Sequence, residues 1–94
     1  MNDNDELILL ETLDEVLAQT GDRKSKTYDD IVRGVFPKPV KIGRASRWPH
    51  HETQAVVRAR VSGASEDEQR LLVRSLHEQR KRLMPRLEPV GVTV

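Results

Sequence analysis

Four cationic side chains lie in a short segment that a helix cannot occupy. The segment is Phe36–Trp48, and its cations are Lys38, Lys41, Arg44 and Arg47. Pro37 and Pro39 stop helical structure and push the residue before each of them toward extended backbone, so the Lys38 side chain between them is displayed. Lysine and arginine bind phosphate oxygens through charge and hydrogen bonds. The segment therefore indicates binding to a polyanion.

Charge is distributed unevenly along the 94 residues, although the formal net charge is only +1. Residues 1–21 hold six acids and no lysine or arginine, which gives −6. Residues 22–60 hold ten cations and four acids (+6), and residues 61–94 hold six cations and five acids (+1). A basic middle segment of this size is typical of a nucleic-acid-binding protein. A solvated charged face is the alternative interpretation.

Several classes of chemistry lack the residues that they need. The chain has no cysteine, so neither a disulfide nor a thiolate metal site can form, which fits a cytoplasmic protein. Adjacent His50 and His51 on a helix would point about 100° apart and would not chelate one metal ion. No nucleophile–base set and no phosphate-cradling glycine loop occurs, and no apolar run approaches the roughly 20 residues of a membrane helix. We therefore expect no enzyme activity, no cofactor, no metal and no membrane partner.

The first predicted helix follows a capping box. Thr12 is the expected N-cap and Glu15 follows three residues later. One apolar face then carries Leu13, Val16 and Leu17. Gly21 would end this helix, which we expect at about residues 12–19. The apolar run Leu7–Leu10 before it is either a buried strand or a packing arm.

A second predicted helix starts a few residues later. Ser25 is its expected N-cap, and Gly34 follows its last residue, Arg33. The inner face would carry Tyr28, Ile31 and Val32. The outer and leading positions would carry Lys24, Lys26, Thr27 and Arg33. Two short helices joined by a turn that contains glycine are typical of a helix-turn-helix.

A β-hairpin with exposed cations is predicted after the second helix. Residues 40–42 and 46–48 alternate apolar and polar side chains on either side of a turn at residues 43–45. The side chains expected to face inward are Val40, Ile42 and Trp48. Those expected to project outward or lie at the tip are Lys41, Arg44 and Arg47. Trp48 and Phe36 are expected in the core, because the chain has few other large side chains to fill it.

Two further helices are predicted in the second half of the chain. Pro49 precedes a helix at about residues 50–61, whose apolar face would use Thr53, Val56, Val57 and Val61. A capping box of Ser65 and Glu68 opens a helix at about residues 66–83. Its narrow apolar stripe consists of Leu72, Val73, Leu76 and Leu83. This stripe would pack back on the domain, dimerise or contact a partner protein.

These elements predict a mainly α fold with a small β-hairpin wing, which is a winged helix-turn-helix with an additional C-terminal helix. Residues 1–8 would form a flexible acidic N-terminus, and residues 9–62 the winged helix-turn-helix DNA-binding domain. Residues 63–84 would hold the C-terminal helix, and residues 85–94 a flexible tail.

The chain resembles the AlpA family of prophage-type transcriptional regulators, close relatives of small phage excisionases with a MerR-like winged-helix core. The resemblance covers about Leu9–Arg60, and its most specific parts are Phe36–Gly43 and the pair Arg47-Trp48. The segment Ser25–Tyr28, reading Ser-Lys-Thr-Tyr, also resembles the family's Ser-Arg-x-Thr-x-Tyr helix start. The resemblance implies binding to specific DNA sites of a prophage or integrative element. Such proteins regulate an integrase gene or act as recombination directionality factors that bend DNA, and none is an enzyme.

The expected DNA-binding residues lie in the second helix, its preceding turn and the basic segment. They are Arg23, Lys24, Ser25, Lys26, Thr27, Tyr28, Arg33, Lys38, Lys41, Arg44 and Arg47. Two of them have an alternative role, because Ser25 can be only a helix cap and Tyr28 can be a core aromatic. Asp30 would either accept a hydrogen bond from cytosine or pair with nearby cations.

The expected partners are double-stranded DNA and further copies of the chain on DNA, with an integrase or RNA polymerase as additional protein partners. The alternative function is a non-enzymatic interaction adaptor that works through the helix at 66–83.

Overall fold

Four helices and three short strands make up the structure, a computed structural model that describes residues 7–85 and Leu87. The strands are β1 (Leu10–Glu11), β2 (Val40–Ile42) and β3 (Ala45–Pro49). The helices are α1 (Leu13–Thr20), α2 (Lys24–Arg33), α3 (His50–Val61) and α4 (Glu66–Lys81). The chain is therefore a small, mostly helical α+β domain. No helix in this part of the chain is long and apolar enough to cross a membrane.

The predicted capping boxes begin two of the helices. The Thr12 hydroxyl accepts from the Glu15 N–H, and the Glu15 carboxylate accepts from the Thr12 N–H. Ser65 and Glu68 form the same reciprocal pair at the start of α4. Gly34 ends α2 with a φ of 79°, a left-handed backbone conformation that glycine adopts at little cost. These predictions are confirmed, because each depends on residues within one turn of the helix end.

The predicted N-cap of α2 is wrong. Arg23, not Ser25, is the N-cap residue, and no side chain caps the helix there. Ser25 is an exposed residue of the first helical turn. The Arg23 carbonyl instead accepts a hydrogen bond from the Thr27 hydroxyl at 3.1 Å.

The sheet is antiparallel, with the strand order β1-β3-β2. Leu10 pairs with Pro49 and Glu11 with Trp48, while Val40 pairs with Arg47 across the β2–β3 hairpin. The side chains of Leu7–Leu10 are exposed, which excludes the buried strand, one of the two alternatives for this run. The buried residue at this edge is Glu11.

The core lies between the helices and the inner strand β3. Its buried apolar side chains are Val16, Phe36, Trp48 and Val56, with Leu13, Ile31 and Leu72 packed against them. The Trp48 indole N–H donates to the Pro37 carbonyl at 2.9 Å, which ties the proline segment to β3. The core positions predicted for Phe36 and Trp48 are confirmed.

Helix α4 packs back on the rest of the domain. Val73 and Leu76 are buried, and Leu72 contacts the core. The helix ends at Lys81, two residues before its predicted end, and Leu83 beyond it is 49% exposed. The predicted flexible ends, residues 1–8 and 85–94, lie mostly outside the described residues and remain predictions.

Candidate nucleic-acid interface

The two fully buried side chains of helix α2 are polar, and Ile31 packs partly buried against the core. Thr27 and Asp30 are each 1% exposed, whereas Val32 is 87% exposed. The outer position predicted for Thr27 and the inner position predicted for Val32 are therefore wrong. The physical reason is that the Thr27 hydroxyl is satisfied by the helix's own backbone and Asp30 is satisfied by cations.

Asp30 holds three cations around one buried carboxylate. Lys26 Nζ lies 2.6 Å from Asp30 Oδ2, Arg33 Nη1 lies 3.0 Å from Oδ1, and Arg60 Nη2 lies 3.4 Å from Oδ2. Arg60 also contacts Asp22 at 2.8 Å and so links α3 to the turn before α2. The buried Asp30 carboxylate is not available to a base, and the predicted pairing with nearby cations is what the structure shows.

The first turn of α4 binds the last turn of α2. Glu66 Oε1 lies 2.8 Å from Arg33 Nη2, and Arg70 Nε donates to the Arg33 carbonyl at 3.0 Å. The hydrogen bond and the charge of Arg33 lower the pKa of the Glu66 carboxyl, and the same contact raises the pKa of Arg33. The Arg33 side chain is half-exposed, and its charge is partly neutralised by the carboxylates of Asp30 and Glu66.

The β2–β3 hairpin presents cations at its tip. Gly43 has a φ of 63° in the turn, and Arg44 beside it is exposed. Lys41 is exposed and donates to the Ser46 hydroxyl at 2.6 Å. Arg47 is only half-exposed, and its guanidinium donates to the Ser46 carbonyl. Ile42 is 51% exposed, so its predicted inward position is wrong.

Tyr28 brings α2 alongside β3. Its ring packs edge-to-face against Trp48, with the centroids 6.4 Å apart and the planes at 71°. Tyr28 is nevertheless 38% exposed. Its ring therefore supports the core while part of the side chain reaches the surface beside the hairpin.

Lys38 is positioned by α4 through its backbone. Its N–H donates to His77 Nε2 at 3.2 Å, and its carbonyl accepts from Arg80 at 2.7 Å. Burial lowers the pKa of His77, and the neighbouring charges of Arg80 and Lys38 lower it further. The Lys38 side chain itself is exposed, as its place between two prolines predicts.

Five of the predicted DNA-binding residues are exposed cations that pair with no carboxylate among the residues that the structure describes. Within residues 7–85 no ion pair forms at Arg23, Lys24, Lys38, Lys41 or Arg44. Lys26 and Arg33, in contrast, are paired with carboxylates. The structure thus divides seven of the eight predicted cations into a group that is open to a ligand and a group that helps to hold α2 in place. The eighth, Arg47, is half-exposed and donates to the Ser46 carbonyl.

Sequence reasoning expected Asp29 as well as Asp30 to pair with cations of α2, and it assigned no role to Arg60 in positioning α2. Asp29 is exposed on α2, next to the buried Asp30. Arg60 carries the network at Asp22 and Asp30, a contact between residues 30 or more apart that local spacing cannot reveal.

His50 lies at the other edge of the sheet. Its Nδ1 is 3.1 Å from Glu11 Oε2, and the Gln19 amide also donates to that carboxylate oxygen. In the described part of the chain, no three His, Cys, Asp or Glu side chains are grouped so that they could hold a metal ion.

Comparisons of the chain with protein-family models, curated proteins and solved structures found no match.

Proposed function

We propose that the chain is a sequence-specific DNA-binding protein. In this proposal α1 and α2 act as a helix-turn-helix, with α2 in the major groove, and the β2–β3 hairpin acts as a wing that contacts phosphate or the minor groove. The protein would act in the cytoplasm as an AlpA-like regulator or excisionase of a prophage or integrative element. It would bend DNA and assemble in several copies on it, and an integrase or RNA polymerase would be a further partner.

The contact between Tyr28 and Trp48 is the observation that carries this proposal. It holds α2 against the strand that forms one arm of the hairpin. A recognition helix and a wing must be rigidly joined if both are to contact one duplex. The buried Trp48 supplies that joint, because its indole N–H is also fixed to the Pro37 carbonyl.

The distribution of unpaired charge supports the same proposal. Arg23 and Lys24 lie at the start of α2, and Lys41 and Arg44 lie on the hairpin. Cations at both places would contact phosphates on either side of a groove and so fix the register of α2. Each phosphate contact releases condensed counterions, which makes the affinity fall steeply with salt.

The adaptor alternative has less support. The apolar stripe that would bind a partner is largely used within the domain, since Val73 and Leu76 are buried. Leu71 is 60% exposed on α4, and one such side chain is ordinary for a protein surface.

An electrophoretic shift assay on the DNA that flanks the gene tests the proposal. We expect binding that survives an excess of scrambled duplex, with stepwise shifts if copies assemble along the site. Equal binding to scrambled duplex would contradict sequence specificity. Absence of binding even at low salt would favour the adaptor.

A further inference from the structure

The outward face of α2 carries three side chains that do not serve the fold. Ser25, Asp29 and Val32 are exposed and follow one another at i, i+4 and i+7, so they lie on one side of the helix. The opposite side holds the buried Thr27 and Asp30. Within the described chain, no ion pair forms at Asp29.

Val32 is the apolar member of this face. It is an apolar residue in the last turn of a helix, and 87% of its surface is open to water. Its two neighbours on the face are a hydroxyl and a carboxylate, so it does not extend an apolar patch along this side of α2. Burial against an apolar group of a ligand would remove its methyl groups from water and stabilise a complex.

The surroundings of Val32 fit the edge of a base pair. Arg23 and Lys24 at the start of α2 are exposed and form no ion pair within the described chain. They are placed to hold phosphates while the adjoining face of the helix meets the bases. An α-helix with its side chains is about 10–12 Å across, close to the roughly 12 Å width of the major groove, so the face of α2 that carries Ser25 and Val32 can enter the groove.

We propose that Val32 packs against the C5-methyl group of a thymine in the major groove and makes the protein select thymine at that position. This inference rests on the proposed DNA-binding function. Thymine carries the only methyl group that the four ordinary bases present in the major groove. In the same orientation the Asp29 carboxylate, one turn earlier, is the acceptor available to a cytosine amino group.

Replacement of thymine by deoxyuridine tests the methyl contact directly. The probe is a fluorescent duplex selected by the wild-type protein from a pool of randomised DNA, with each thymine of the selected site replaced singly by deoxyuridine. We expect one replacement to weaken wild-type binding about three- to fivefold, as for the loss of one buried methyl group. The others should have little effect.

Two variants complete the experiment. Val32→Ala should bind the thymine duplex more weakly and should distinguish thymine from deoxyuridine less than the wild type does at that position, because it lacks the two γ-methyl groups. Val61→Ala is the matched control, because Val61 is also a helical valine and is 84% exposed, but it lies at the end of α3. It should discriminate like the wild type. Trp48 fluorescence checks that both variants are folded.

Different results would contradict the proposed DNA-binding function and the proposed role of Val32. If the wild-type protein selects no duplex from the pool, the proposed function is wrong and the inference falls with it. If it selects a site but tolerates deoxyuridine everywhere, or if Val32→Ala discriminates as well as the wild type, only the role of Val32 is wrong.

Discussion

The guanidinium of Arg80 donates two hydrogen bonds to the buried carboxylate of Glu52. Arg80 Nη2 lies 2.6 Å from Glu52 Oε1, and Nε lies 2.8 Å from Oε2. Glu52 is 1% exposed, and the Arg80 side chain is 18% exposed. The same guanidinium donates to the Lys38 carbonyl, so one side chain of α4 joins α3 to the segment Phe36–Trp48.

Replacing Arg80 should therefore destabilise the whole domain. Arg80→Ala leaves the Glu52 charge buried without a partner, and we expect the free energy of unfolding to fall by about 3–5 kcal/mol. Urea denaturation followed by the fluorescence of Trp48, the one tryptophan, measures the change. Arg74→Ala, an exposed arginine of the same helix, is the control and should be nearly neutral. Equal stability of the two variants would contradict this account of α4.

Protonation of His77 should also destabilise the fold. Only the neutral ring can accept the Lys38 N–H, and burial, Arg80 and Lys38 lower the pKa of His77 against a smaller opposing effect of Glu52. Because the unfolded chain then binds its proton more readily, stability is full above about pH 6.5 and falls as the pH drops through the lowered pKa.

The variant His77→Gln isolates this pH effect. Glutamine can accept the same N–H without titrating, so its free energy of unfolding should change less than that of the wild type between about pH 7 and pH 5. His51→Gln, at an exposed histidine of α3, should keep the wild-type profile. A His77→Gln profile as steep as the wild type would show that another group is responsible.

The charge of the Asp30 carboxylate should raise the free energy of unfolding. Asp30→Asn keeps the shape but removes the charge that pairs with Lys26, Arg33 and Arg60. We expect a loss of about 1.5–3 kcal/mol in urea denaturation, the range for hydrogen bonds to charged groups. Asp29→Asn, at the exposed neighbour, should cost far less. Similar losses for the two variants would mean that the Asp30 network is not stabilising.

Release of Arg33 from Glu66 should strengthen DNA binding. Glu66→Gln removes the carboxylate that lies 2.8 Å from Arg33 Nη2, which releases this nitrogen for a phosphate while Nη1 stays paired with Asp30. We expect tighter binding and a plot of log affinity against log salt that is steeper by about one. Glu78→Gln is the control, because it removes an equal charge and frees Lys81 at the other end of α4. If both variants bind alike, net charge rather than Arg33 explains the gain.

Local signals predicted the starts of α1 and α4 and the end of α2, and long-range contacts decided what the sequence pattern could not. The capping boxes at Thr12 and Ser65 involve neighbours three residues apart, so they can be read directly from the chain. The buried side of α2 was predicted only in part: Tyr28 and Ile31 contact the core as expected. The burial of Asp30 was missed because it depends partly on Arg60, thirty residues away. Apolar periodicity predicted that Val32 faces the core. In the structure Asp30 and its cations lie on the inner side of α2, and Val32 faces solvent.

The candidate interface could be predicted only where it depends on local sequence patterns. The exposed cations Lys41 and Arg44 follow from the alternation of a short hairpin. The partial neutralisation of Arg33 could not be predicted in this way, because Glu66 belongs to α4, outside the segment that resembles the AlpA family.

The salt dependence of DNA binding tests the central claim most directly. Fluorescence anisotropy should give a slope of log affinity against log salt of about −4 for the wild type, as for four or five neutralised phosphates. Arg44→Ala should reduce the magnitude of the slope by about one, and the control Arg74→Ala should not change it. The account is contradicted if Arg44→Ala binds like the wild type, or if both variants lose affinity equally.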